Sequence, residues 1–351
     1  MQNLTDDKIR ILVVQTAFLG DIILTTPLLN ALKTAFPDSH LALLTTPVGK
    51  EALSGSAELD EILSYDKNGA DQGLRAFFQK VKELRGKSFG LGLSPHRSFR
   101  TALLLALSRI PVLVGFKGSA LSRIYHFRME RPEELHEVER NLKLLLPVTA
   151  LPENFSAQIK LPMPKDFEPA RFGVKPGDKP LIGFAPGSAW ETKRWPAEKY
   201  AELARLLSKK LNAKILLLGD DKDAELCSEI DKLSSISLLN LAGKTGLKQL
   251  FGIISKLDLL VSNDSAPVHI ASAFSIPTVV IFGPTVPAFG FGPWKNPHRI
   301  IQRELPCRPC HHHGPRECPE EHFKCMMAIT AEEVFSAANE LLRERNPRPA
   351  G

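Results

Sequence analysis

The chain of 351 residues contains few Trp and Tyr side chains on which nucleic-acid bases could stack, and it contains no long apolar run. It has three Trp, three Tyr and no tract rich in Lys or Arg, so nothing indicates a nucleic-acid partner. The most apolar stretch, 101–115, is broken by Arg109 and Pro111, whereas a bilayer span needs roughly 20 apolar residues. The first apolar run, ILVV, follows acidic residues and is too short for a signal peptide. We therefore expect a cytoplasmic protein that meets a membrane only from one side.

Two common nucleotide-binding motifs are also missing. No G-x-G-x-x-G follows an expected strand and no GxxxxGK[ST] occurs, which argues against a standard dehydrogenase and a P-loop enzyme. The chain is 43% hydrophobic and 24% charged, as soluble globular proteins are, and its length suits two domains. Its formal charge of +6 suits anionic partners such as nucleotides, phosphorylated sugars or an acidic lipid surface.

Both halves of the chain alternate short apolar runs with amphipathic segments, a pattern typical of parallel sheets covered by helices. The expected strands lie at 10–15, 41–45, 61–64, 89–93, 112–115, 181–184, 214–218, 237–240, 258–261 and 278–282. The expected helices lie at 21–35, 73–85, 98–108, 196–210, 222–233, 246–256, 265–274 and 331–344. A linker rich in Pro and charge, 150–180, separates the halves. We predict an α/β fold of two doubly wound, Rossmann-like domains that face each other across a cleft.

The segment SNDSAPVHIASA follows an expected strand and opens a helix. Asp264 suits the N-cap, and the N–H groups of Ser265 and Ala266 would then form an anion site for a diphosphate. His269, one turn further, would reach the same anion. The alternative is a capped helix with a histidine at the edge of the core.

Two more loops of the second half carry polar side chains. In PGSAWETKRWP, Lys193 and Arg194 follow a turn at Gly187 and Ser188, which suits phosphate oxygens or a solvated loop equally. The run at 221–223 has the D-x-D spacing of some metal sites but is better explained as a helix cap. Glu225 in the next turn would accept hydrogen bonds from a ribose or a base.

The first half offers one carboxylate and several cations at expected strand ends. Gly20 allows a sharp turn, and Asp21 is then an N-cap, a carboxylate presented to a ligand, or both. Basic residues that would hold an anionic acceptor, or would simply be solvated, are His96, Arg97, Arg100 and Lys117.

Four of the five cysteines lie close together near the end of the chain. They are Cys307, Cys310, Cys318 and Cys325, with four histidines between them. These ligand types suit a structural zinc ion, but the spacing matches no standard zinc finger. Packed free thiols are the alternative, because a cytoplasmic location disfavours disulfides.

Together these segments resemble the lipopolysaccharide heptosyltransferase family over nearly the whole chain. The motifs LGDIILTTP, HEVERNLKLL, PGSAWETKRWP and SNDSAPVHIASA, followed by the cluster CRPCHHHGPRECPEEHFKCM, occur in the family's order. The cluster and HEVERN resemble the heptosyltransferase II branch more than the I branch.

The resemblance implies a GT-B fold. An acceptor-binding domain would cover 1–165, a domain that binds the ADP-sugar 176–328, and a helix returning toward the first domain 329–351. It further implies a metal-independent, inverting transfer of heptose from ADP-L-glycero-D-manno-heptose. The acceptor would be an anionic lipid A–Kdo inner core at the inner face of the inner membrane.

The resemblance also assigns roles residue by residue. Asp21 would be the general base, and Lys193 would grip the diphosphate. The remaining donor contacts would come from Ser188, Glu225, Asp264, Ser265, Ala266 and His269. Many relatives have Gly where this chain has Ala266. The alternatives are a heptosyltransferase I, a non-hydrolysing epimerase on the same architecture, and a binding protein without activity.

Overall fold

The computed structural model describes residues 8–151, 153–164, 166–175, 177 and 179–345. The chain divides into two compact units, Met1–Pro162 and Met163–Gly351. Nowhere in the described part does a helix combine the length and apolar character needed to cross a membrane.

The first unit is a parallel six-stranded sheet flanked by helices. Its strands are β1 Arg10–Gln15, β2 His40–Thr45, β3 Glu61–Ser64, β4 Leu91–Ser94, β5 Val112–Phe116 and β6 Phe127–Met129. Its helices are α1 Leu19–Ala35, α2 Pro47–Leu53, α3 Gly73–Gly86, α4 Phe99–Leu107 and α5 Glu137–Lys143. Strand β1 is buried on both faces, from Ile11 to Val14, because helices cover both sides of the sheet.

The second unit repeats this architecture. Its strands are β7 Leu181–Ala185, β8 Lys214–Leu217, β9 Leu239–Asn240, β10 Leu259–Asn263, β11 Thr278–Ile281 and β12 His298–Ile301. Its helices are α6 Ala197–Leu211, α7 Ala224–Ser234, α8 Leu247–Ile254, α9 Ala266–Ala273, α10 Lys324–Met327 and α11 Ala331–Arg345. Helix α6 packs through Tyr200, Leu203 and Leu207 and ends at Asn212 in a left-handed conformation.

Both sheets share one strand order. The first runs β3-β2-β1-β4-β5-β6 and the second, read from its other edge, β9-β8-β7-β10-β11-β12. This is the Rossmann order 3-2-1-4-5-6, whose direction reverses between the first and fourth strands and opens a ligand crevice there. The predicted α/β class with two Rossmann-like domains is therefore confirmed.

Five elements were missing from the sequence prediction: β6, β12, α2, α5 and α10. Two of them are edge strands of only three and four partly exposed residues, so they carry little apolar signal. The three helices have seven, seven and four residues, too few to show a periodic pattern.

The last helix, α11, packs on the second unit. Lys210 of α6 lies 4.8 Å above the ring of Phe335. Arg345 forms a hydrogen bond of 3.0 Å to the carbonyl oxygen of Leu257. The return of this helix toward the first domain stays a prediction.

Candidate active site

Asp21 lies in the first turn of α1, two residues after the helix begins at Leu19. The N-cap position belongs to Phe18, so the expected capping role of Asp21 is wrong. Instead its carboxylate accepts hydrogen bonds from the backbone N–H groups of Phe18 and of Asp21 itself. An acidic residue at the third helical position satisfies the N-cap N–H in this way, which lets an apolar residue occupy the cap. Gly20 lies inside the helix and has no positive φ, so the expected sharp turn is also wrong.

The surroundings of Asp21 raise the pKa of its carboxyl group to about 6. Burial is the largest cause, and the negative charge of Glu137 adds to it. The two backbone hydrogen bonds and the positive charge of Arg131 act in the opposite direction. A carboxylate with this pKa is ionised at neutral pH yet binds a proton more readily than an ordinary Asp, which suits a general base.

Glu137, which supplies that negative charge, is held in a buried ion-pair network. Its carboxylate contacts Arg131 and Arg140, with Nη1 of Arg140 at 3.2 Å. Glu137 and Arg140 are only 4% and 2% exposed. Asn141 of the same helix donates a hydrogen bond of 3.3 Å to the carbonyl oxygen of Leu24 and so attaches α5 to α1. Glu137, Arg140 and Asn141 belong to the HEVERN motif, for which the sequence predicted neither a structure nor a role.

His96 lies beside the end of β1 rather than in open solvent. Its Nδ1 is 3.0 Å from Oγ1 of Thr16 and 2.9 Å from Oγ1 of Thr101. Burial, then the charges of Lys67 and Arg97, lower its pKa to about 4. His96 is therefore neutral at physiological pH, so it would contact an acceptor by a hydrogen bond and not by an ion pair. Its role in acceptor binding stays a prediction.

Lys67, which sequence analysis missed, donates a hydrogen bond of 2.9 Å to the carbonyl oxygen of Thr16. It brings a cation to the end of β1 from the connection that follows β3. Its position in the sequence, between a strand and a helix, gave no signal beyond that of any surface lysine.

Of the three other predicted acceptor residues, two are engaged within the protein. Arg100 donates 2.8 Å to the carbonyl oxygen of Asp71 and lies 5.2 Å above the ring of Tyr65. Lys117 forms an exposed ion pair with Glu130. The side chain of Arg97 is exposed and makes no hydrogen bond or ion pair within the described residues. Arg97 is therefore the predicted cation that stays available to a ligand.

In the second unit, Lys193 and Asp264 form a largely buried ion pair. Nζ of Lys193 lies 2.6 Å from Oδ2 of Asp264, and these side chains are 12% and 10% exposed. Oγ1 of Thr285 donates 2.7 Å to the same carboxylate oxygen. Asp264 is therefore not the N-cap of α9, as predicted; that position belongs to Ser265. The carboxylate of Asp264 accepts the charge-assisted hydrogen bond from Lys193 instead.

The start of α9 lies next to this ion pair. Ala266 is its first residue, and His269 is buried one turn further, only 4% exposed. Asn263 fixes the loop before the helix, accepting 3.2 Å from the N–H of Trp195 and donating 2.6 Å to the carbonyl oxygen of Pro186. Hydrogen bonds of Asn263 therefore hold the N-terminal end of α9 next to the loop that carries Lys193.

Arg194 is used inside the loop after β7, where it fixes the conformation of that loop, and the loop does not present it to a ligand. Nε and Nη2 of Arg194 donate to the carbonyl oxygen of Ser188 at 3.1 and 2.9 Å. Oγ of Ser188 accepts 3.3 Å from the N–H of Trp190. Of the two adjacent cations in the motif, Lys193 alone forms an ion pair with Asp264.

The D-x-D run forms a short 3-10 turn before α7, and Asp223 at the N-cap of α7 makes no side-chain cap hydrogen bond to that helix. Asp220 and Asp223 form a capping box around the short 3-10 turn that leads into α7. Asp223 also packs against Gly187, where an added Cβ would lie 2.2 Å from its carboxylate. Glu225 is exposed on the first turn of α7.

The cysteine-rich loop, residues 307–325, packs on Lys193 and its neighbours. Gly314 lies against the side chain of Lys193, and Thr192 donates a hydrogen bond to the carbonyl oxygen of Pro315. His313 stacks on Trp190 with ring centroids 6.5 Å apart. The loop therefore forms a wall beside the Lys193–Asp264 pair.

The cysteines of this loop are free thiols in the structure. Sγ of Cys310 donates 3.0 Å to the carbonyl oxygen of Cys307, and Nε2 of His322 lies 4.0 Å from Sγ of Cys307. Across the described residues, no three His, Cys, Asp or Glu side chains form a metal-binding group. The zinc hypothesis for Cys307, Cys310, Cys318 and Cys325 therefore gains no support.

Known proteins resemble the chain over nearly its whole length. Lipooligosaccharide heptosyltransferase 2 of Campylobacter jejuni is 28% identical over 336 residues, which cover 93% of this chain and 96% of the relative. A family 9 glycosyl transferase of Veillonella parvula has a similar structure, with TM-score 0.86, 24% identity and coverage of 97% and 98%. The ADP-heptose LPS heptosyltransferase II of E. coli follows with TM-score 0.77, 24% identity and coverage of 96% and 99%. The model of glycosyltransferase family 9 (heptosyltransferase) matches residues 77–323, so the chain belongs to that family.

Proposed function

We propose that this enzyme is a heptosyltransferase II, which moves heptose from ADP-heptose to heptosyl-Kdo2-lipid A with inversion and without a catalytic metal. Its relative in Campylobacter jejuni carries the name heptosyltransferase 2, and the E. coli structure is that of an ADP-heptose enzyme. The observation that carries the proposal is the Asp21 carboxylate, whose pKa is raised to about 6 at the switch point of the first sheet.

In the proposed reaction, Asp21 accepts the proton of the attacking acceptor hydroxyl. The acceptor oxygen forms a bond to the anomeric carbon while the bond from that carbon to the diphosphate oxygen breaks. The sugar carbon gains cationic character in this step, and the leaving ADP gains negative charge. Lys193 and the N-terminal end of α9 stabilise that charge, which is why no metal is required.

The donor contacts in this proposal are those of the second unit. Lys193 leaves Asp264 partly or wholly to contact the diphosphate, while Ser265 and Ala266 offer backbone N–H groups. The remaining contacts come from Ser188 and His269 to the phosphates and heptose, and from the exposed Glu225 to the nucleoside.

The acceptor contacts in this proposal are fewer than the sequence indicated. Arg97 and Lys67 face the same end of the sheet as Asp21 and bind an acidic group of the acceptor. Arg100 and Lys117 are occupied by contacts within the protein, and we assign them no acceptor role. An acidic lipid acceptor implies that the enzyme works at the membrane surface.

Titration calorimetry with ADP, UDP and GDP in the presence of EDTA tests the donor. We expect selective binding of ADP, and a preference for UDP would contradict the proposal. Transfer assays with heptosyl-Kdo2-lipid A and Kdo2-lipid A then distinguish heptosyltransferase II from the alternative heptosyltransferase I. We expect the first acceptor to be used and the second to be poor.

The variant Asp21→Ala tests the base. We expect transfer to be abolished and ADP affinity to stay near that of the wild type, since Asp21 belongs to the first unit and the donor groups to the second. Asp38→Ala, which removes an exposed carboxylate, is the matched control. Strong loss of ADP affinity in Asp21→Ala would instead make Asp21 a structural residue.

A further inference from the structure

Large apolar side chains are exposed in the connections that follow the strands of the first sheet. Ten such side chains are exposed among the described residues, and six of them lie in the connections that follow β1 to β5. We call these six the apolar rim: Phe18, Val48, Leu74, Phe78, Phe99 and Leu121. Each of the five connections contributes at least one of them, with exposures from 41% to 77%.

The fold does not require this exposure, as the second unit shows. It has the same strand order, yet its described residues include only three exposed large apolar side chains, Met163, Leu233 and Met327. Met163 precedes β7, and the other two lie at the C-terminal ends of α7 and α10. Among its described strand-to-strand connections, only the one after β8 contains such a side chain, Leu233, which lies at the end of α7 that leads into β9. An apolar patch that appears in one copy of a fold and not in the other indicates a binding surface.

Hydrogen bonds hold several parts of the apolar rim close together. Thr16 and His96 join the connections after β1 and β4 through a contact of 3.0 Å. The N–H of Ala120 donates 3.2 Å to the carbonyl oxygen of Arg97 and joins the connection after β5. Arg100 joins the connection after β3 through the carbonyl oxygen of Asp71. Phe18, Phe99 and Leu121 therefore belong to one surface.

The same connections carry exposed cations between the apolar side chains. These are Lys50, Arg75, Arg97 and Arg123. The connections also carry acidic residues, among them the exposed Glu51 beside Lys50. The carboxylates of Asp66 and Asp71 accept hydrogen bonds from backbone N–H groups, which partly offsets their charge. Aromatic and aliphatic side chains interspersed with Lys and Arg are the composition that binds the interface of an anionic bilayer.

We propose that the apolar rim docks the enzyme on an anionic bilayer. The inference rests on the proposed function, in which the acceptor is a lipid held in that bilayer. Docking through the rim places Asp21, which follows Phe18 in the same connection, at the level of the lipid headgroups.

Sedimentation with phosphatidylcholine vesicles, with and without added phosphatidylglycerol, tests the proposal, because anionic lipid attracts basic surfaces. We expect the wild type to sediment with the anionic vesicles at low salt. The combined variant Leu74→Ser, Phe78→Ser, Phe99→Ser should bind them on the order of tenfold more weakly. The matched control Leu233→Ser, Met327→Ser, which alters two exposed apolar side chains of the second unit, should bind as the wild type does.

Transfer to a deacylated, water-soluble acceptor separates this proposal from the proposed function. We expect the rim variant to retain that activity, which also shows that it is folded. Equal vesicle binding by wild type and rim variant would overturn the proposal. So would wild-type binding that requires lipid acceptor in the vesicles, since the rim would then hold the acyl chains of one acceptor. A dimer that the rim variant abolishes would make the rim a subunit interface and would overturn it too.

Discussion

Asp21 must be ionised to act as a base, and its pKa of about 6 sets the pH at which that occurs. Below pH 6 the carboxyl group is mostly protonated and cannot take a second proton. We therefore expect kcat to fall on the acid side with a midpoint near pH 6 and to be level above pH 7. A kcat profile between pH 4.5 and 8.5 measures this. A midpoint near 4 would mean that the carboxylate behaves as an exposed Asp does.

Glu137 is expected to tune that midpoint through its charge. Replacing it in Glu137→Gln removes a negative charge that raises the pKa of Asp21, while Arg131 remains to lower it. The acid limb of the kcat profile should therefore move to lower pH. Glu134→Gln, at an exposed position three residues earlier, is the control and should leave the limb in place. A loss of kcat at every pH with an unmoved limb would indicate a structural role alone.

Element ends show where sequence rules succeed and where they fail. Strand β1 was predicted at its observed bounds because a continuous apolar run indicates a strand buried on both faces. The starts of α1 and α9 were misplaced because local rules assign the cap to Asp21 and Asp264, whereas the observed caps are Phe18 and Ser265. Asp264 instead pairs with Lys193, 71 residues away in sequence, and such a distant partner leaves no local signal.

The same limit explains the acceptor residues. The sequence located His96 and Arg100 after β4, which the structure confirms. It did not reveal that Thr16 and Asp71 contact them, because both contacts join separate β/α connections. The buried pair of Glu137 and Arg140 was missed because charged residues three apart on a helix usually form a solvated face.

Packing between strand β5 and the segment before β6 leaves no space for a side chain at Gly115. A Cβ there would lie 2.6 Å from the ring of Tyr125, which is itself 3% exposed. We expect Gly115→Ala to destabilise the protein by about 1–3 kcal/mol through overpacking. Gly86→Ala, at the end of α3 with open space around it, should be neutral or slightly stabilising. Denaturant unfolding compares them, and equal midpoints would contradict the packing argument.

Ligand binding should stabilise the whole molecule, because ADP binds the folded state alone. At an ADP concentration of 100 times Kd, linkage predicts a gain of about 2.7 kcal/mol, seen as a higher Tm. A chelator such as 1,10-phenanthroline should change neither the Tm nor the shift produced by ADP. A lower Tm after chelation would instead support the hypothesis that the cysteine-rich loop binds a zinc ion.

That loop has a practical consequence for labelling chemistry. Burial raises the pKa of Cys227 to about 12 and that of Cys325 to about 11, so both stay protonated at neutral pH and resist maleimides. Burial also raises the pKa of Cys310, so alkylation is directed to Cys307 and Cys318, which lie in the same cysteine-rich loop beside Lys193. A fluorophore attached there would report donor occupancy in the native sequence, without an engineered cysteine.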